Sequence, residues 1–301
     1  MPYHEIKTKG KKTYNYLVRT VRKGDTWQKK RKYIGKGKLP ENQIGKELKK
    51  YAEELEESRY FDESRKEMID FIMQKFNAYR KKAGKSGVEN FNEWFFTELT
   101  YNSTSIEGSS LSKIETSMII NDNIVPKNAM MREINEVRNH KEALEFLLGY
   151  AGDVNEKLIL KLHSIVLKNI KDDAGKYRKV PVFIMGENAI FPSPSDVPDM
   201  AKTLIRWYKE NKSGMYPPEL AIIFSMKFVS IHPFTDGNGR LSRLLMNYIL
   251  KKNGYPEINI YVKERNNYLR AVRKANDGDH QMICDFAYRT LLKNYDFLKA
   301  E

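Results

Sequence analysis

Cysteine is all but missing from this chain of 301 residues: Cys284 stands alone. A single thiol closes no intramolecular disulfide and builds no thiolate cluster for zinc, so a reducing, cytoplasmic setting is the expectation. Long apolar runs are missing too. With no stretch of about 18 apolar residues, nothing is expected to cross a membrane as a helix. The opening Met1-Pro2-Tyr3-His4-Glu5 has no apolar core of the signal-peptide kind. Internal repeats and low-complexity tracts are absent as well. Acidic residues are scarce in one place only. Residues 1–40 hold 13 Lys/Arg against Glu5 and Asp25, a net of +11, while residues 41–301 hold 40 Lys/Arg against 37 Asp/Glu, a net of +3. The basic character therefore belongs to the first forty residues, and any electrostatic argument concerns them alone. What is present is a balance of 41% apolar and 31% charged residues, which suits a folded globular chain rather than a disordered one. The length allows one large domain and a small appendage.

The appendage reads as a basic β-hairpin over residues 1–40. Tyr14, Tyr16 and Val18 alternate with Asn15, Leu17 and Arg19, Lys23-Gly24-Asp25 supplies a turn, and residues 27–34 form a return strand. Cations interleaved with aromatics suit a nucleic-acid backbone or another acidic partner. They equally suit an exposed sheet edge that must avoid pairing with its neighbours. From residue 41 the pattern turns helical, and the fold class expected is mainly α. Apolar residues at three-and-four spacing predict helices over 41–59, 64–82 and 88–101, with a break at 84–87. Others follow at 112–121, 128–149, 155–169, 195–211, 217–231, 241–253 and 281–298. Pro217-Pro218 heads one of them and Gly254 ends another. Residues 176–191 interrupt the helices with a predicted second small hairpin, Tyr177, Val180, Val182, Phe183 and Ile184 preceding Gly186-Glu187-Asn188. The division expected is an appendage over 1–40, a helical linker over 41–89 and a catalytic domain over 90–301.

The chemistry concentrates between His232 and Arg243, in His-Pro-Phe-Thr-Asp-Gly-Asn-Gly-Arg-Leu-Ser-Arg. A glycine-bearing turn that enters a helix presents backbone N–H groups and a positive helix end to an anion. Gly237 and Gly239 let that backbone come close. Arg240 and Arg243, three apart, project from one helical face and can clamp two phosphates of a polyphosphate. Asp236 is a hard oxygen ligand suited to magnesium shared with those phosphates. His232 can take a proton from an incoming hydroxyl near neutral pH. Each feature alone has a bland explanation as a turn, a solvated arginine or a structural histidine. Their order within twelve residues makes that improbable.

These residues resemble the signature of the Fic family, complete here as His232, Phe234, Asp236, Gly237, Asn238, Gly239, Arg240 and Arg243. The resemblance implies a Fic-type helical bundle with a small hairpin flap, and transfer of AMP from ATP to a serine, threonine or tyrosine hydroxyl of a protein, which can be the chain itself. It implies His232 as base, Asp236 as ligand of Mg2+ or Mn2+, and residues 237–239 at the α-phosphate with an Asn238 side-chain contact. Arg240 and Arg243 are then at the β- and γ-phosphates. Gly175-Lys176-Tyr177-Arg178 with Val182, Phe183 and Ile184 resembles the flap that pairs with an extended target segment. Residues 265–279 resemble the adenine-side helix, with Tyr268 to stack on the base and Asn276 to hydrogen-bond it. Ser103-Thr104-Ser105-Ile106-Glu107-Gly108 resembles the family's inhibitory motif, in which the glutamate pairs with the second arginine, here Arg243. Ser103, Glu107 and Gly108 are its marked positions. Glu107 could instead position water to remove AMP from a modified hydroxyl. A homodimer is compatible with all of this. Two alternatives stay open: transfer of another nucleotidyl, phosphoryl or phosphocholine group on the same fold, or a nucleic-acid-binding regulator with a vestigial core. Kinase-type relatives resembling Doc carry lysine at the second glycine, whereas Gly239 stands here.

Overall fold

Aromatic and β-branched residues near the N-terminus form three strands among the described residues, β1 (Tyr3–Lys9), β2 (Lys12–Lys23) and β3 (Thr26–Lys36), in one antiparallel sheet of order β1-β2-β3. The hairpin expected from the sequence is β2 with β3. The first strand went unread because Tyr-His-Glu-Ile-Lys-Thr-Lys shows no apolar alternation. Gly10, at φ 61°, turns β1 into β2. A bulge at Asn15/Tyr16 shifts the register with β3, and the buried Asn15 amide fills the irregularity. Its Nδ2 donates to the carbonyls of Gly35 and Gly37 at 3.3 and 2.7 Å, and its Oδ1 lies 2.9 Å from His4 Nε2. Helix α1 (Glu41–Glu56) follows.

The computed structural model describes residues 3–10, 12–23, 26–56, 60–183 and 191–299, and residues 1–59 and 60–301 form two separate compact units. The stretch read as a linker, 41–89, is divided between them. In the larger unit α2 (Glu63–Ile106) starts at Asp62, whose carboxylate accepts the Arg65 N–H at 2.8 Å. The break expected at 84–87 is a kink at Gly84 alone, φ 64° and ψ −170°, with helix resuming at once. The continuation reaches Ile106, so residues 103–106 of the six-residue motif form the last turn of a helix, with Glu107 as its C-cap and Gly108 just beyond. Ser112 then opens α3 (Lys113–Asn121) with the reciprocal capping box that Ser112-x-x-Glu115 predicts. There follow α4 (Met131–Gly149), α5 (Glu156–Val166), α6 (Val197–Asn211), α7 (Pro217–Ile231), α8 (Asn238–Lys252), α9 (Arg265–Asn276) and α10 (Gln281–Asn294).

α7 and α8 are buried along nearly their whole length, as their runs of Leu, Ile, Phe and Met require, and they lie against each other at the centre. α2, α4 and α5 pack against α8, while α6, α9 and α10 pack against α7. Burying both central helices fixes the loop between them, residues 232–237, at one end of the core. A small satellite cluster of Leu111, Ile119, Ile120, Ile134 and Val137 joins α3 to α4 beside the end of α2. No described helix is long and apolar enough to cross a membrane. The second hairpin, predicted over 176–191, falls partly outside the described residues, which exclude 184–190. Residues 176–183 carry no strand.

Candidate active site

α7 ends in His232, whose backbone is left-handed at φ 49° and whose N–H closes the helix on the Phe228 and Val229 carbonyls at 3.2 and 3.1 Å. Burial, followed by the charge of Arg178, pulls the imidazole pKa down to about 4 against the opposing carboxylates of Glu107 and Asp236, so the ring is neutral at physiological pH. Its Nδ1 is the buried nitrogen and has no hydrogen-bond partner. The ring lies 4.2 Å from that of Phe191.

The loop beyond His232 is braced from three sides. Phe234 is buried and stacked on His163 at 3.7 Å with an interplanar angle of 8°. His163 accepts the Gly175 N–H at Nδ1, 2.8 Å, and its Nε2 lies 3.2 Å from the Asp236 carbonyl. An imidazole that accepts at one nitrogen and donates at the other is neutral, in keeping with a pKa pulled by burial to about 4. The Asn238 side chain accepts the Phe234 N–H at 3.0 Å and donates to its carbonyl at 2.8 Å. Its amide thus closes the loop, both of its polar atoms being engaged with Phe234. Gly237, at φ 78°, lies where a Cβ would collide with Leu167 Cδ2.

No side chain caps the N-terminus of α8, which leaves its first-turn amides facing the loop. Beside them Asp236 accepts from the Gly237 N–H at 2.6 Å, Arg240 Nη2 at 2.9 Å and Arg132 Nη2 at 2.7 Å. Burial works to raise its pKa, but Arg240, the Gly237 N–H and Arg132 outweigh it and hold the carboxyl below its usual range. Arg240 is 1% exposed. Its Nη1 lies 3.2 Å from Glu136 Oε1 without hydrogen-bond alignment, and neither Nη1 nor Nε makes a hydrogen bond. Arg132 closes the ring by donating to Glu136 at 3.1 Å. Neither Arg132 nor Glu136 was singled out from the sequence: they lie a hundred residues upstream on an ordinary-looking amphipathic helix.

Glu107 reaches Arg243 across 136 residues of chain, Oε1 to Nη2 at 2.7 Å. Arg243 also donates to the Ser103 hydroxyl at 3.0 Å and the Ser103 carbonyl at 2.9 Å. Burial opposes the charge of Arg243, and Glu107 together with Tyr268 outweighs it to shift the pKa upward. The carboxylate lies so close to Gly239 that a Cβ there would collide with Oε1. Neighbours fix the end of α2: Arg265 donates to the Ile106 carbonyl at 2.7 Å, and Glu133 accepts the Ser110 N–H at 2.6 Å. Gly108, at φ 110°, makes the turn out of the helix.

The adenine-side assignments fare differently. Tyr268 is 3% exposed, packs on Phe286 with centroids 5.7 Å apart, and interacts with Arg243 of the same cradle. Asn276 is exposed and accepts the Ser230 hydroxyl at 2.6 Å. Of the flap residues, Phe183 is 89% exposed, Val182 is half-buried and Ile184 lies outside the described residues. The segment expected to be the flap is held at its ends by Arg178, a buried guanidinium that donates to the carbonyls of His232 at 2.8 Å, Val180 at 3.2 Å and Pro192 at 2.7 Å. Among the described residues no group of three His, Cys, Asp or Glu is gathered to hold a metal by itself.

Residues 153–250 match the Fic/DOC family. The chain is 31% identical over 239 residues to the protein adenylyltransferase Fic of Drosophila melanogaster, a match covering 76% of this chain and 48% of that protein. The protein adenylyltransferase Fic of Nematostella vectensis is 30% identical over 244 residues, covering 76% and 55%. The chain thus spans about half the length of the curated relatives it matches. Among solved structures, a Fic-domain-containing signalling protein from Bacteroides thetaiotaomicron superimposes with a TM-score of 0.70 at 25% identity, over 76% of this chain and 95% of that one. Fic-1 from C. elegans gives a TM-score of 0.69 at 27% identity, over 79% and 71%.

Proposed function

The chain belongs to the Fic/DOC family, and on that premise we propose that it is a protein adenylyltransferase restrained by its own Glu107. It moves AMP from ATP to a serine, threonine or tyrosine hydroxyl of a protein, itself included. The observation that carries this reading is Arg240, buried with two unbonded N–H-bearing nitrogens beside an uncapped helix N-terminus. Buried donors without aligned hydrogen bonds are costly, and the polyphosphate of ATP supplies anionic oxygens to accept from them. The α-phosphate takes the first-turn amides of α8, and the outer phosphates take Arg240 and Arg243. His232, neutral and at the mouth of the cradle, accepts the acceptor hydroxyl's proton at Nε2 as its oxygen bonds to the α-phosphorus. The bond from that phosphorus to the bridging β-oxygen breaks, and pyrophosphate leaves. Asp236, ionised and a single carboxylate, fits Mg2+ or Mn2+ held jointly with phosphates and water; such an ion would neutralise the phosphate charge. Arg178 keeps the flap base against the His232 carbonyl, and the exposed Phe183 is a side chain a target segment can cover. The single buried Cys284 accords with a reducing compartment.

With the Glu107 carboxylate on Arg243, the γ-phosphate meets a negative charge where it needs a cation, and the α-phosphate is displaced from in-line attack. Incubating Glu107→Gly with labelled ATP, CTP, GTP or UTP and reading self-labelling on a gel is the test. Label from ATP should rise on the order of tenfold or more above the unmodified chain, because lost orientation costs at least that much. Arg243→Ala placed in the same background should lose it again. Unchanged labelling with every nucleotide defeats the reading. Reduced labelling together with lost removal of AMP from a modified target would make Glu107 a hydrolytic residue instead.

A further inference from the structure

Adenylyl transfer leaves the most charged part of the chain without a task. Residues 1–40 carry a net of +11, and they form a sheet apart from the unit that holds His232 and its partners. The strand register sorts those charges. Lys7 lies opposite Tyr14 and Tyr14 opposite Lys36, Glu5 opposite Tyr16 and Tyr16 opposite Tyr33, and Tyr3 opposite Val18 and Val18 opposite Arg31. Directly opposed residues share a face, so one side of the sheet holds Tyr3, Tyr14, Tyr16 and Tyr33 together with Lys7, Lys36 and Arg31. Ring centroids confirm the grouping: Tyr33 is 5.6 Å from Tyr16 and 6.4 Å from Tyr14. Lys29 Nζ lies 5.6 Å from the Tyr3 centroid. Tyr33 is 53% exposed, and Lys7 and Lys36 at the rim are exposed as well.

A solvated face explains the lysines but not the rings. Large aromatics left open on a sheet cost solvation, whereas charges alone would suffice to keep an edge from aggregating. Charge alone serves any polyanion. Rings with cations beside them serve one kind best, because each unpaired base offers a π-face and each nucleotide a phosphate. A duplex hides its base faces, and an anionic membrane is met by basic residues backed by an inserted apolar surface. Arg31 is engaged with Glu5 at 2.6 Å, which fixes the middle of the face and leaves the rim lysines to meet phosphates. We propose that this face is a binding site for single-stranded nucleic acid, bases stacking on Tyr33 and its neighbouring rings and phosphates lying along Lys7, Lys36 and Lys29.

The test is fluorescence anisotropy of the full chain with dye-labelled oligonucleotides of mixed sequence, single-stranded and duplex, across a salt series. Single strands should bind more tightly than duplex of equal length, with an affinity that falls as salt rises. Tyr33→Ala should weaken single-strand binding roughly five- to a hundredfold, the range for removing one stacking ring, while Tyr33→Phe retains it. Lys7→Glu with Lys36→Glu should weaken binding and flatten the salt dependence. Photocrosslinking of the unmodified chain to single-stranded RNA should map to residues 3–36, a reading that needs no variant to fold. Failure to bind, crosslinks that map elsewhere, or equal binding to duplex, heparin and phosphatidylserine vesicles that ignores Tyr33→Ala would each overturn the assignment.

Discussion

His232 stands in the left-handed region and is half-buried, and both facts bear on its chemistry. With a pKa pulled to about 4 by burial and Arg178, the free enzyme keeps an unprotonated base well below the usual histidine range near 6.5. The profile of kcat/KM, which reports the free enzyme, should therefore stay level as pH falls from 8 to about 5 in the Glu107→Gly background. An acid limb near 6.5 would contradict the buried environment. His232→Ala should lower transfer about 10²- to 10⁴-fold and leave ATP binding by calorimetry nearly intact, since the base touches the hydroxyl and not the phosphates. The residues that meet here were legible where they are contiguous. His232 to Arg243 could be read in one line, and Glu107 could be paired with Arg243 because its motif is short and local. His163, Arg132, Glu136 and Arg178 could not, since each acts through a backbone carbonyl or a second charge, and nothing in a helical or loop sequence marks such a contact. Tyr268 shows the converse: an aromatic in a polar helix gives no sign in the sequence of its packing against Phe286.

At the scale of elements, spacing and caps served well. Pro217-Pro218 and Ser112-x-x-Glu115 fixed helix starts to the residue, while the break near Gly84 was overextended because glycine permits a kink without forcing an end. The flap shows what sequence leaves out. Arg178 was visible only as part of a likeness, yet it ties Val180 and Pro192, at the two ends of the proposed flap, to the His232 carbonyl. Arg178→Ala takes the shared donor from three carbonyls in part-buried bonds, and since Val180 is exposed and water can reach it, each loss costs at most about 1–3 kcal/mol. The KM for a protein target should rise roughly tenfold through the loosened docking edge. ATP affinity measured by calorimetry should move by less than about twofold, because no phosphate contact is lost. Arg178→Lys should not rescue, since one ammonium cannot span three diverging carbonyls. Equal losses in target and ATP binding would mean that the whole loop has collapsed.

Across the whole molecule, the division at residue 59 separates a basic sheet from a helical body that contains every residue of the candidate active site. A chain starting at Tyr60 should fold and, with Glu107→Gly, label itself at a rate within about threefold of the full-length variant; a folded but inert product would place part of the machinery in the sheet. The lone thiol gives this body a clock. Cys284 is 0% exposed on α10, and burial, with Glu219 and Asp285, pushes its pKa well up, so a thiol reagent waits for the helices to part. No sulfur elsewhere in the sequence competes for the reagent as a thiol. The labelling rate of the unmodified protein thus counts openings of the α7–α9–α10 packing directly. If those openings are global, a non-hydrolysable ATP analogue at a hundred times its Kd should slow the clock about a hundredfold, as linkage demands. If they are local fraying of α10, the analogue leaves the rate alone. The chain's poverty in cysteine, which first excluded an intramolecular disulfide and a thiolate zinc cluster, thereby provides a single-site measure, needing no substitution, of whether nucleotide and fold share one free energy.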